Sequence, residues 1–244
     1  SSADTALTTL INDPSLKLTS KRKDKRHLLN EAKDSNYQLA FNAKQLDSIT
    51  SGKVLGLFSS SAMLDGIAYS HCKKLGNCRQ PGLAAMTKKA LNFLSQDEEG
   101  FFLMIEGGQI DWAGHNNDAG DLLHQMLKFD ESVQAVYDWV KDRNDTLVVI
   151  TADHETGGFG FSYSRKDIPV ADPTVTGNAF ATSNRIYKPN FNFVKPEILD
   201  QLYAQKKDFY NIWYSAGGNL ADREPDAKAL QTEISNSTAF TITL

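Results

Sequence analysis

The sequence predicts an α/β fold: a three-layer sandwich in which a mostly parallel sheet carries helices on both faces. Three features carry that expectation. The chain holds short, compact apolar runs of strand length. A long amphipathic helix lies between two of these runs. Acidic and histidine side chains follow directly after the same two runs, at the edge where open α/β sheets place their sites.

The elements follow in order. His27 to Asn36 has a helical pattern and Tyr37 to Phe41 that of a short strand. Val54 to Phe58 is an apolar run suited to a buried parallel strand. Ser59, Ser60 and Ser61 after it form a polar loop; no nucleophile elbow surrounds them and no base lies nearby in sequence. Pro81 to Ser95 reads as a helix with proline at its start, its apolar face made by Leu83, Met86, Ala90, Leu91 and Leu94. Phe101 to Ile105 reads as a second buried strand. From about Asp118 to Asp142, Leu122, Met126, Phe129, Val133, Val136, Tyr137 and Val140 recur at helical spacing, and Asn144 can stop the helix in a left-handed conformation. Thr146 to Thr151 is a third buried run, rich in β-branched residues. Strand, long helix, strand is a βαβ unit, which implies parallel strands and a right-handed crossover.

After Gly160 the texture changes. Pro169, Pro173, Pro189 and Pro196 interrupt the chain, and helical patterns return near Pro196 to Lys206 and Asp226 to Ser235. The expected organisation is therefore an α/β core over residues 1–160, with its body from about residue 27, and an irregular insertion or cap over 161–244. Asn236-Ser237-Thr238 forms a glycosylation sequon of low specificity.

Composition bounds the function. The chain has 244 residues, is 41% hydrophobic and carries a net charge of −4. Mild acidity argues against a nucleic-acid partner, which calls for a basic excess. The run Lys21, Arg22, Lys23, Lys25 and Arg26 reads as a solvated surface segment. No apolar run approaches the roughly 20 residues needed to span a bilayer, and the N-terminus has no secretory signal pattern. Cys72 and Cys78 flank a short loop containing Gly76; they suit either a disulfide in an oxidising compartment or two free thiols.

The chemistry-bearing residues fall in three places: Glu106, then Asp111 with His115, then Asp153 with His154. Asp111 and His115 stand four apart, so a helical turn puts both on one face, where an oxygen and a nitrogen can meet one cation. Zinc suits that mixture. Asp153 and His154 are adjacent and can share a metal only where the chain leaves strand geometry, as Gly157-Gly158 permits. Glu106 is an oxygen ligand better suited to magnesium. Taken alone, an Asp–His pair is usually no site at all. Burying three carboxylates together without cations would be costly, however, and this favours a metal centre over a set of helix caps. His124 lies near the apolar stripe of the long helix and reads as a packed residue; His27 and His71 read as surface residues.

Phe102-Leu103-Met104-Ile105-Glu106-Gly107-Gly108-Gln109-Ile110-Asp111-Trp112-Ala113-Gly114-His115 is similar to the metal motif of bacterial alkaline phosphatases. Thr151-Ala152-Asp153-His154-Glu155-Thr156-Gly157-Gly158 resembles their second one. The resemblance covers about residues 20–200. With Trp112 and the long segment after Gly160, it is nearest to marine-bacterial forms with a large insertion. It implies an alkaline-phosphatase-like sheet and a phosphomonoester hydrolase that uses two zinc ions and one magnesium through a phosphoserine. It assigns Asp111 and His115 to the first zinc, Asp153 and His154 to the second, Glu106 to magnesium and Trp112 to the phosphate pocket. It also implies a periplasmic or secreted homodimer, with no nucleic-acid or membrane partner.

The chain departs from the family pattern in four places. It contains no match to the family's Asp-Ser-Ala nucleophile motif, to the aspartate that bridges zinc and magnesium, to the phosphate-clamping arginine or to the Gly-Thr-His-Thr segment. The expectation is thus an incomplete domain, the central portion of a longer enzyme, with no catalytic nucleophile of its own. The alternatives are a catalytically silent metal-binding fragment or homologue, or a phosphodiesterase or phosphomutase of the same superfamily. The Asp-Trp-Ala-Gly-His and Asp-His-Glu-Thr-Gly-Gly contexts favour the phosphatase.

Overall fold

The structure is a computed structural model, and it describes residues 22–24, 26–156, 197–219 and 223–243. The element order is α1 (Leu28–Asp34), β1 (Tyr37–Ala40), α2 (Ala43–Ser48), β2 (Lys53–Gly56), α3 (Gly66–Leu75), α4 (Leu83–Leu94), α5 (Gln109–His115), α6 (Ala119–Val140), α7 (Glu197–Tyr203), α8 (Phe209–Ser215) and α9 (Ala227–Ser237). The chain divides into two compact units. One comprises residues 1–109 and 124–148, the other 110–123 and 149–244.

The first unit is built on the parallel pair β1–β2, with Tyr37 opposite Lys53 and Ala40 opposite Gly56. Parallel neighbours need a crossover of about a dozen residues or more, and α2 occupies it. Asn42 starts α2 by accepting a hydrogen bond from the Gln45 amide at 2.9 Å. The small core consists of Ala40, Leu46 and Ile49, with Val54, Phe58, Met86 and Phe93 packed against it. Both strands, the crossover helix and α4 thus share a single apolar centre.

Helix α3 is bounded by sequence-local devices. Asp65 caps its start, accepting from the Ala68 amide at 2.8 Å. Gly76 ends it at φ 68°, a left-handed conformation that costs a glycine nothing sterically. Cys72 and Cys78 are joined by a disulfide across that turn, with their Cα atoms 4.9 Å apart. Ser70 on α3 meets His124 Nδ1 on α6 at 2.9 Å. His124 is buried, the packed role its place on the apolar stripe predicts. Arg22 pairs with Asp24 and Arg26 with Glu31, as a solvated basic segment should; Lys21 and Lys25 lie outside the described residues.

Four expectations need correction. Phe101–Ile105 and Thr146–Thr151 are not buried strands: neither has a ladder partner among the described residues, and Phe102, Met104, Leu147, Val149 and Ile150 are exposed. Among the described residues the sheet has two strands, β1 and β2. β-Propensity is realised only against neighbouring strands, and neither run joins the β1–β2 ladder. Pro81 precedes the N-cap Gly82 of α4 instead of opening the helix. Asn144 is not left-handed; among the described residues the non-glycine residues at positive φ are Asn36 (64°) and Asn117 (51°). His27 is half-buried and caps α1, its Nδ1 accepting from the Asn30 amide at 3.2 Å.

The second unit is held by a buried carboxylate. Asp118 Oδ1 accepts from the Asp121 amide at 3.0 Å and from Gln205 Nε2 at 2.8 Å. Its Oδ2 accepts from the Phe209 amide at 2.5 Å. The same residue therefore caps α6 and fastens the segment between α7 and α8. Ile212, Leu202 and Ala216 are buried in this unit. Helices α7 and α9 match the helical patterns expected near Pro196 to Lys206 and Asp226 to Ser235. Gly157, Gly158 and the proline-rich stretch that follows lie outside the described residues.

Candidate metal centre

Helix α5 carries Asp111, Trp112 and His115. Asp111 Oδ1 and His115 Nε2 approach to 3.4 Å, the same-face contact that a separation of four residues produces on a helix. Both side chains reach solvent, and Trp112 beside them is half exposed.

The helix is closed by its own turn. The Asn116, Asn117 and Asp118 amides donate to the carbonyls of Trp112, Gly114 and Ala113 at 3.0, 2.9 and 3.0 Å. Asn117 takes the left-handed conformation that such a stop requires.

Asp153 and His154 form the second pair, with His154 Nε2 3.4 Å from Asp153 Oδ2. The His154 amide donates to Asp153 Oδ1 at 3.0 Å, which turns the carboxylate toward its neighbour. His154 Nδ1 lies 2.7 Å from the Glu155 carbonyl oxygen. A carbonyl has no proton to give, so Nδ1 carries the hydrogen; in the neutral ring Nε2 then holds the lone pair that a metal-binding imidazole needs. The Glu155 carbonyl, then the Asp153 and Asp111 carboxylates, raise the pKa of His154 above the ordinary histidine value.

The two pairs belong to one compact unit and are linked. Thr156 Oγ1 donates to Asp111 Oδ1 at 3.0 Å, tying the segment that bears Asp153 and His154 to α5. Glu106 is exposed and belongs to the other unit, where its Oε1 lies beside Gly108.

Each pair offers one oxygen and one nitrogen, the donor chemistry zinc takes, so the residues present suit a metal. Among the described residues no group of three or more ligand-type side chains converges, so neither pair is by itself a full tetrahedral set. Two contacts of this unit are not legible in the sequence. Thr156 was visible only as part of a motif, and Asp118 only as the start of a long helix. The small residue Gly114, one turn from Asp111, was the available hint that something packs closely there.

The chain thus combines an α/β fold with two carboxylate–imidazole pairs within one compact unit. A family profile for alkaline phosphatase matches residues 6–215, and the chain belongs to that family. Alkaline phosphatase 3 of Bacillus subtilis is 40% identical over 139 residues, covering 57% of this chain and 28% of its own length. The repressible alkaline phosphatase of Saccharomyces cerevisiae is 27% identical over 253 residues, covering 90% of this chain and 42% of its own. The chain thus spans well under half the length of these curated relatives. Among solved structures, the alkaline phosphatase of Thermus thermophilus shares the fold, with a TM-score of 0.66 at 22% identity over 91% of this chain and 40% of that one. A cold-active alkaline phosphatase from a psychrophilic Shewanella gives a TM-score of 0.56 at 25% identity, covering 89% of this chain and 44% of its own.

Proposed function

We propose that these residues are part of a phosphomonoester hydrolase that works with two zinc ions and one magnesium through a phosphoserine. The observation that carries this reading is the pairing of oxygen and nitrogen donors on α5 and at Asp153–His154 within one compact unit. Asp111 and His115 would hold one zinc, Asp153 and His154 the second, and Glu106 the magnesium. When bound, the cations would balance charge on the attacking and leaving oxygens of an in-line displacement at phosphorus.

The chain's own residues prepare for that work. Thr156 steadies the Asp111 carboxylate, and the Glu155 carbonyl sets the His154 tautomer. Trp112, exposed next to Asp111, would face the phosphate. The Cys72–Cys78 disulfide supports a periplasmic or secreted location. A homodimer, and a division near residue 160 between core and insertion, belong to the same proposal. A second reading, a catalytically silent metal-binding piece, draws on the lack of any three-donor cluster among the described residues and of an Asp-Ser-Ala match.

The test is turnover of a chromogenic phosphomonoester and of the matching diester by a full-length protein containing these residues. Monoester hydrolysis abolished by Asp153→Ala is expected; a preference for the diester would move the assignment to a phosphodiesterase. The 244-residue chain alone, supplied with zinc and magnesium, is expected to show no significant turnover, because no serine in a nucleophile context is present. Robust turnover by a chain of verified mass would overturn that.

A further inference from the structure

We propose that Thr156 is a positioning residue that fixes which oxygen of Asp111 is offered to a metal ion; this rests on the metal-binding reading of Asp111 and His115. The hydroxyl of Thr156 donates to Asp111 Oδ1 at 3.0 Å. The same Oδ1 is the one that faces His115 Nε2 at 3.4 Å. A carboxylate on an exposed helical turn rotates between two equivalent faces. A hydroxyl bound to Oδ1 removes that freedom and keeps Oδ1 turned toward His115, with its second lone pair left for a cation.

Backbone packing makes this approach possible. Gly114 is buried on α5, and a Cβ placed there would lie 2.9 Å from Thr156 Cβ, 3.1 Å from its Cγ2 and 3.2 Å from its Oγ1. The first is closer than real Cβ contacts come and the other two are tight, and the obstruction is the branch point of a β-branched side chain, which has little freedom to swing away. Only a glycine at 114 lets Thr156 sit against the turn that carries Asp111. The hydrogen bond also spans the two motifs: 45 residues separate its partners in sequence. Thr156 therefore registers the Asp153–His154 segment against α5 while orienting Asp111. Groups that orient a ligand in this way commonly change metal affinity by about 10-fold or more when removed.

The experiment titrates the 244-residue chain with Zn2+ by calorimetry, and with Co2+ by its visible absorption, for the parent chain and four variants. Thr156→Val keeps the shape and removes the donor; Thr156→Ser keeps the donor. Gly114→Ala leaves both Thr156 and Asp111 intact and pushes them apart. Asp111→Ala removes the ligand itself. Expected are roughly 10-fold weaker Zn2+ binding in Thr156→Val and Gly114→Ala, an altered Co2+ spectrum in both, and recovery of affinity and spectrum in Thr156→Ser. If Asp111→Ala weakens Zn2+ binding while Thr156→Val binds as the parent does, the positioning role is overturned and the metal reading stands. Equal losses in Thr156→Val and Thr156→Ser would also overturn it, because packing and not the hydroxyl would then be responsible. If Asp111→Ala binds Zn2+ as the parent chain does, the metal reading fails and the positioning role goes with it.

Discussion

Asp118 is 1% exposed, and a carboxylate in that position must be satisfied by nearby donors or be costly to fold. It has three: the Asp121 amide, the Gln205 side chain and the Phe209 amide. Two of them come from 87 and 91 residues further along the chain, so nothing local in the sequence announces them. What was legible locally is the other half of the role, an acidic residue opening a long helix. Its neighbours matter as well. Asp118 is three residues past His115, and its amide closes α5 on the Ala113 carbonyl at 3.0 Å. Replacing Asp118 with Ala strands the Gln205 and Phe209 donors and is expected to cost about 3 kcal/mol of stability. Asp118→Asn keeps one acceptor and should cost about 1–2 kcal/mol. Urea unfolding measures the totals, and amide exchange at Phe209 reads the local loss. An Asp118→Ala chain with unchanged Phe209 protection would show that the carboxylate does not hold this segment.

At the scale of elements, α4 and α6 meet through a polar pair in an otherwise apolar setting. Thr87 Oγ1 and Ser132 Oγ lie 2.6 Å apart, and both residues are buried. The α4 face predicted from Leu83, Met86, Ala90, Leu91 and Leu94 is only partly the face that packs: Leu91 and Thr87 are its buried members. A periodicity argument counts apolar residues, and Thr87 is invisible to it because its hydroxyl finds a partner only after α6 has docked. Removing one partner leaves the other's hydroxyl buried and unpaired, so Thr87→Val and Ser132→Ala should each cost about 1–2 kcal/mol. Removing both strands nothing. The double variant is thus expected to lose less than the sum of the singles, with a coupling of about 1 kcal/mol. Simple additivity in a thermal or urea double-mutant cycle would show that the pair contributes no more than its separate packing. The long helix itself was legible to within a few residues, since α6 spans Ala119–Val140 against an expected 118–142. Long amphipathic periodicity is a local signal, whereas strand formation is not: Tyr37–Ala40 and Lys53–Gly56 found each other, and Phe101–Ile105 has no ladder partner among the described residues.

For the molecule as a whole, the same contrast separates what was legible from what was not. Asp111 and His115 meet within one helical turn, as their spacing predicted; Asp153 and His154 are adjacent, and their contact depended on the chain leaving strand geometry there. Thr156–Asp111 and the Asp118 anchor join distant segments and needed coordinates. The two apolar runs have a further consequence. Phe102 is 88% exposed, Met104 75%, Leu147 87% and Val149 73%. Each run is rich in residues that favour strands and without a ladder partner among the described residues. Unpaired N–H and C=O groups beside exposed apolar side chains are templates for pairing with another chain. The runs are short of charge: residues 101–105 and 146–151 contain no Lys, Arg, Asp or Glu to oppose it. The 244-residue chain in isolation is therefore expected to associate with itself in a concentration-dependent way and to bind a hydrophobic dye. Sedimentation velocity across a concentration series checks the first and dye fluorescence the second. Placing charge in each run, as in the double variant Met104→Lys with Val149→Lys, should shift the association to roughly 10-fold higher concentration, since each buried lysine opposes pairing by more than 1 kcal/mol. The substitutions replace exposed side chains, so they should leave the disulfide and the helix content unchanged. A parent chain that sediments as a single monomeric species throughout the series, with no dye signal, would show that these runs are covered in solution by contacts within the chain itself.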